Sequence, residues 1–139
     1  MSNWLYQVRI RVSEHLSQFL RNGERYQLAD KLQDIAKMHG MKIVNTYDAF
    51  KEYCDEAESF GVEAYGLYKW TKDTIENPEK KAKHLKSFAF YEGDFQQIYQ
   101  KELALNLIAS LRKLGHHDDI LEIKLIDSNP ANNPQPPKS

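Results

Sequence analysis

The chain has 139 residues, a size suited to one domain that buries roughly two-thirds of the surface its unfolded form exposes. Apolar residues at 41%, charged residues at 28% and a net charge of −1 exclude a general pull toward nucleic acid or an anionic membrane, leaving only local patches. No apolar run nears the roughly 20 residues that cross a bilayer, the start Met1-Ser2-Asn3-Trp4 lacks an export pattern, and the lone Cys54 admits no internal disulfide, so a cytoplasmic protein is expected.

Tyr6, Val8, Ile10 and Val12 alternate with Gln7, Arg9 and Arg11, the period of two of a strand with one packed and one wet face. Leu5, Val8, Val12, Leu16 and Phe19 also fit a helical period, which makes a mostly α-helical bundle the rival fold. The β-branched Val8, Ile10 and Val12 favour the strand. Ser13 then caps a helix carrying Leu16, Phe19 and Leu20, which Asn22-Gly23 interrupts or ends. Residues 24 to 39 place Leu28, Leu32, Ile35 and Ala36 on one helical face, with Gly40 as the stop. Met41, Ile43 and Val44 read as a short buried strand. Thr46 is the expected cap of the next helix, with Phe50, Tyr53, Cys54 and Ala57 inward and Gly61 at its end.

From Val62 to Lys86 the pattern is helical but broken at Asn77-Pro78, because proline disfavours a helical residue before it. Phe88 and Phe90 mark a third strand. Gly93-Asp94 is expected to turn directly into a long helix, with Asp94 as its cap, Ile98, Leu105, Ile108 and Leu111 inward, and Gly115 closing it. Leu121, Ile123 and Leu125, alternating with Glu122 and Lys124, form the last strand. From Ser128 the chain carries Asn-Pro and Pro-Pro pairs and nothing apolar larger than Ala131, the composition of a disordered tail over 128–139.

This order predicts an α/β (α+β) fold: a two-layer ferredoxin-like βαββαβ sandwich spanning 1–127, with a helical insertion at about 47–86 between strands 2 and 3. A doubly wound parallel sheet wants nearly continuous apolar strands, and Arg9, Arg11, Glu122 and Lys124 argue against it.

Signals for chemistry are thin. His116-His117-Asp118-Asp119 is the densest group of metal-ligating side chains, but a usable site needs three or more ligands converging, and neighbours in one loop seldom do so. A polar turn with histidine near a helix C-terminus is the better reading. His39 also sits at a helix end, and His15 and His84 lack partners. Cys54 lies on an apolar stripe, as a core thiol does. Glu92 and Asp94 flank Gly93 as a conceivable acid–base pair, with the cap role for Asp94 preferred. No nucleophile elbow, phosphate loop or dinucleotide fingerprint occurs, so neither cofactor nor metal is expected.

The middle third is more distinctive. Asp48, Glu52, Asp55, Glu56, Glu58 and Glu63 face only Lys51, and then Lys69, Lys72, Lys80, Lys81, Lys83 and Lys86 outweigh Asp73, Glu76 and Glu79. Phe60, Tyr65, Tyr68 and Trp70 sit at the junction. Charge sorting with aromatics suits a binding surface formed by Asp48, Glu52, Asp55, Glu56, Glu58, Tyr65, Tyr68 and Trp70. The plainer alternative is a helix pair whose opposite charges face one another. The expected function is a non-catalytic protein-binding module, such as a small cytosolic inhibitor or immunity-type protein that binds a basic partner through its acidic helix. The alternative is a small-ligand-binding protein or enzyme with an aromatic pocket of Tyr47, Tyr53, Tyr65, Tyr68, Trp70 and Tyr91, in which His84 or Glu92 handles protons. A nucleic-acid contact through Lys80 to Lys86 is disfavoured, because Phe88 and Phe90 read as core rather than as a stacking platform. An exposed sheet edge would also suit a homodimer.

Overall fold

A computed structural model describes residues 4–129. Four strands, β1 (Tyr6–Val12), β2 (Met41–Asn45), β3 (Ser87–Glu92) and β4 (Ile120–Asp127), form one sheet in the order β2-β3-β1-β4. Every neighbouring pair is antiparallel. Six helices complete the α+β fold: α1 (Glu14–Asn22), α2 (Gln27–Met38), α3 (Thr46–Phe60), α4 (Tyr68–Glu76), α5 (Pro78–Leu85) and α6 (Lys101–Arg112). The helical bundle is thereby excluded, and residues 6–12 are a strand. The tail expected from Ser128 onward falls mostly outside the described residues; Ser128 itself donates its amide to the Leu5 carbonyl at 2.9 Å.

The period-two pattern of β1 explains the layering. Val8, Ile10 and Val12 are buried on the face that meets α1, α2 and α6, where Leu16, Leu32, Ala36, Leu107 and Leu111 close the core with Phe88 and Phe90. Ser13 caps α1 by accepting the Leu16 amide, and its hydroxyl donates to Asp119 at 2.6 Å, tying the end of β1 to the start of β4. Gly40 joins α2 to β2 with φ 67°, a left-handed conformation that glycine adopts without strain.

The second face carries Arg9, Arg11, Glu122 and Lys124, as their alternation implies, but it is not uniformly wet. Helices α3 and α5 pack over its β2–β3 half, where Ala89 is buried, and α4 packs against both of them. On the β1–β4 half Arg9, Arg11 and Lys124 are exposed, while Gln7 is buried with its amide donating to the Gln97 carbonyl at 2.8 Å.

Two local expectations are corrected. Asn45, not Thr46, caps α3, with its side chain accepting the Asp48 amide. Its amide group also donates to the Leu85 and Ser87 carbonyls at 2.9 and 3.4 Å. The last helix begins at Lys101 rather than at Asp94, and Ile98 and Leu105 are exposed. Between Gly93 and Gln100 the chain instead forms bridges to both flanking strands, Gln96 to Glu92 and Tyr99 to Tyr6. The β1–β3 ladder ends at Arg9↔Ala89, and Tyr99 fills the gap beyond it. Its hydroxyl accepts from the Val8 amide at 2.8 Å and donates to the Phe90 carbonyl at 2.9 Å, bridging the two groups that a further rung would have joined.

Candidate partner-binding surface

The acidic helix starts beside the sheet and runs to a tip at Gly61. A single 3-10 turn, Val62–Ala64, reverses the chain into α4, so the end of α3 and the start of α4 lie together. Buried Cys54, Ala57, Thr71 and Ile75 hold the helices in contact, and burial pushes the Cys54 thiol up from its ordinary pKa. Thr71 and Thr74 return their hydroxyls to the carbonyls of Leu67 and Trp70 one turn back, so neither is left unsatisfied.

The nominated residues divide into four groups. Glu56, Glu58, Tyr65 and Tyr68 meet at the tip: Tyr65 donates to Glu56 at 3.1 Å, and Tyr68 donates to Glu58 at 3.0 Å. Lys72 adds a 3.1 Å ion pair to Glu58. The Lys72 and Tyr68 hydrogen bonds hold the Glu58 carboxyl below its ordinary pKa, and the same contacts push Tyr68 and Lys72 up. Tyr65 is raised by desolvation and by its bond to Glu56. Asp48 lies at the opposite end of the helix in a bidentate pair with Arg21, at 2.9 and 2.7 Å. Asp55 pairs with Lys51 at 2.9 Å, and Glu52 is exposed. Trp70 turns inward, edge-on to Phe50 at 5.9 Å. Opposite charges of α3 and α4 thus do face each other, while the carboxylates of Glu52, Asp55, Glu56 and Glu58 remain at the surface.

Two residues outside the nominated set stand out at the same tip. Phe60 is 77% exposed and Val62 39% exposed. Phe60 was legible as an aromatic at the junction; Val62 was not, because a single valine after a glycine carries no pattern.

The residues considered for a ligand pocket are held by contacts with one another and with nearby cations. Tyr47 lies under the cations of Arg21 and Lys81, Tyr53 meets Tyr65 edge-on and accepts the Leu67 amide, and His84 packs edge-on against Phe50. Partial burial lowers the His84 pKa, with help from the charge of Lys83 and of Arg9. Tyr91, raised by desolvation, lies within the field of Arg9 on the second face of the sheet. A cavity of about 330 Å³ exists elsewhere, between the end of α6 and β4, lined by Leu111, Arg112, His116, His117, Leu121 and Glu122 among others.

The other histidines are occupied locally. His116 meets Asp118 at 3.1 Å, His117 the Leu114 carbonyl at 3.0 Å, and His39 the Ser110 hydroxyl at 2.8 Å. Among the described residues no three His, Cys, Asp or Glu side chains gather as a metal site, and no helix is long and apolar enough to cross a membrane. Comparison with family models, with curated proteins and with solved structures finds no match to this chain.

Proposed function

We propose that this chain is a non-catalytic protein-binding module of the inhibitor or immunity type, which engages a basic partner through the tip formed by α3 and α4. The observation that carries this reading is Phe60, an aromatic ring left 77% exposed at the end of the acidic helix, whose last turns also expose Glu56 and Glu58. Large aromatic anchors ringed by polar groups dominate binding energy at protein interfaces, and surface charges chiefly set the rate of encounter. The hydrogen bonds from Tyr65 and Tyr68 orient two of those carboxylates before any partner arrives, which lowers the ordering cost of binding. The frame beneath reads as a ferredoxin-like split βαβ sandwich; the strand order β2-β3-β1-β4 and the helices α1, α2 and α6 over one face support that assignment.

Affinity capture on the full chain tests the function. A basic protein retained at low salt and released at high salt is expected, and Phe60→Ser combined with Glu56→Lys should lose it while the thermal midpoint stays within a few degrees. Equal capture by that variant overturns the reading.

A further inference from the structure

We infer that the outer edge of β4 is a self-pairing edge, through which two copies of this chain join into a continuous eight-stranded sheet. β4 pairs with β1 alone, and among the described residues no strand lies on its other side. An open edge is often protected by charge, proline or a bulge, and β4 carries Lys124 and a bulge at Leu121; its charges are nevertheless self-complementary.

The direction of its main-chain groups follows from the ladder. Ser128 donates to Leu5, and Tyr6 exchanges both its groups with Tyr99 on the side away from β4, so alternation turns Leu5, Gln7, Arg9 and Arg11 toward β4. Their partners are Ser128, Ile126, Lys124 and Glu122. Ile123 and Leu125, which lie between them, therefore present their N–H and C=O groups outward, at the open edge, and Leu121, just before Glu122, is the residue at the bulge.

The side chains fit the same geometry. In the antiparallel pairing centred on Ile123, Leu121 meets Leu125 of the other copy, and Glu122 meets Lys124. Leu121 and Leu125 are the exposed apolar residues of the strand, at 48% and 37%. Both project to the core side, since Leu125 lies opposite Val8, while Glu122 and Lys124 share the face of Arg11 and Arg9. Every pair thus matches like surface to like surface and opposite charge to opposite charge. At the Ile123 pair outward groups also meet outward groups, giving about two new main-chain hydrogen bonds there.

The neighbouring registers fail. A shift one way puts Glu122 against its own copy; a shift the other way puts Lys124 against its own copy. Intermediate registers oppose inward-facing groups to outward ones. The bulge opposite Val12 ends the regular stretch at Leu121, so pairing is confined to Leu121–Leu125. Each copy's Glu122 and Lys124 now lie 3.2 Å apart on one strand, and pairing would set them in a four-charge square.

Sedimentation of the full chain from about 10 μM to about 1 mM, spanning weak to moderate affinities, tests this. The wild-type protein should pass from monomer to dimer, and the Ile123 amide should gain exchange protection as it does. Glu122→Lys and Lys124→Glu should each weaken dimerisation by on the order of tenfold or more, because the two-fold axis repeats the like-charge clash. The double exchange Glu122→Lys with Lys124→Glu should restore it. A monomer across the whole range overturns the inference, as does a dimer that the single reversals leave equally strong or that the double exchange does not rescue.

Discussion

One hydroxyl substitutes for a missing rung at the centre of the sheet. Tyr99 is 2% exposed, and burial pushes its pKa from 10.0 to about 12, against a smaller opposing effect of the Val8 amide it accepts from. Removing the oxygen strands a buried N–H and a buried C=O while keeping the ring, so Tyr99→Phe should cost about 2 kcal/mol in urea denaturation with an unchanged slope. The raised pKa carries a sign. Below pH 10 the neutral phenol stabilises the fold fully; between pH 10 and about 12 the unfolded chain ionises first, so that contribution is lost as pH rises. Tyr99→Phe should therefore flatten the alkaline part of the stability curve. His84 gives the opposite dependence. Its lowered pKa means the unfolded state binds the proton first, so stability should fall as pH drops below 6.5, and His84→Gln should remove that decline in pH-dependent melting. Neither role was legible from residue identity. A tyrosine after a turn and a histidine on a helix look alike whether they plug a ladder or lie in water.

At the scale of elements, the legible parts were those with a strict period or a cap. The alternation in β1 and β4, the Ser13 cap and the Asn77-Pro78 break all have the local chemistry their positions require; Asn77 accepts the amides of Glu79 and Lys80 to start α5. The segment 93–100 was misread because Gly93-Asp94 before an apolar run satisfies a helix-start rule. The pairing that overrides it, with Tyr6 and Glu92, lies far off in the chain for Tyr6. Asn45 shows how one side chain joins elements: it caps α3 and holds the α5–β3 connection, to whose Leu85 carbonyl Ser17 also donates. Asn45→Ala should lower stability by about 2 kcal/mol through the lost cap and donors. Asn45→Asp keeps the cap acceptor but sets a carboxylate against two carbonyl oxygens, so it should not recover wild-type stability. Chemical denaturation of both variants separates the two contributions.

For the whole molecule, the α+β class and the four antiparallel strands were readable, because a sheet with charged alternate positions cannot be buried on both faces. The half-cover of the second face was not, since nothing in the composition of α3 to α5 says where they dock. The charge segregation pointed to the acidic helix as a surface, yet its partition into a tip, a paired middle and an Arg21-bound start depends on that docking. Strand order also predicts dynamics. Amides of the central β1 that point toward β3, such as Ile10 and Val12, should exchange slowest, and those of Leu121 and Ile123 fastest within the sheet at high dilution.

That strand order separates the two proposed surfaces in space. The helical insert lies over β2 and β3, at one margin, and the self-matching strand forms the other. Joined copies would carry their helical inserts at opposite margins of an eight-strand sheet, with the outermost strands about 30 Å apart. Such an object is bivalent: on a target with repeated sites, the second grip comes at a high local concentration, and residence time multiplies without a single additional contact in either grip.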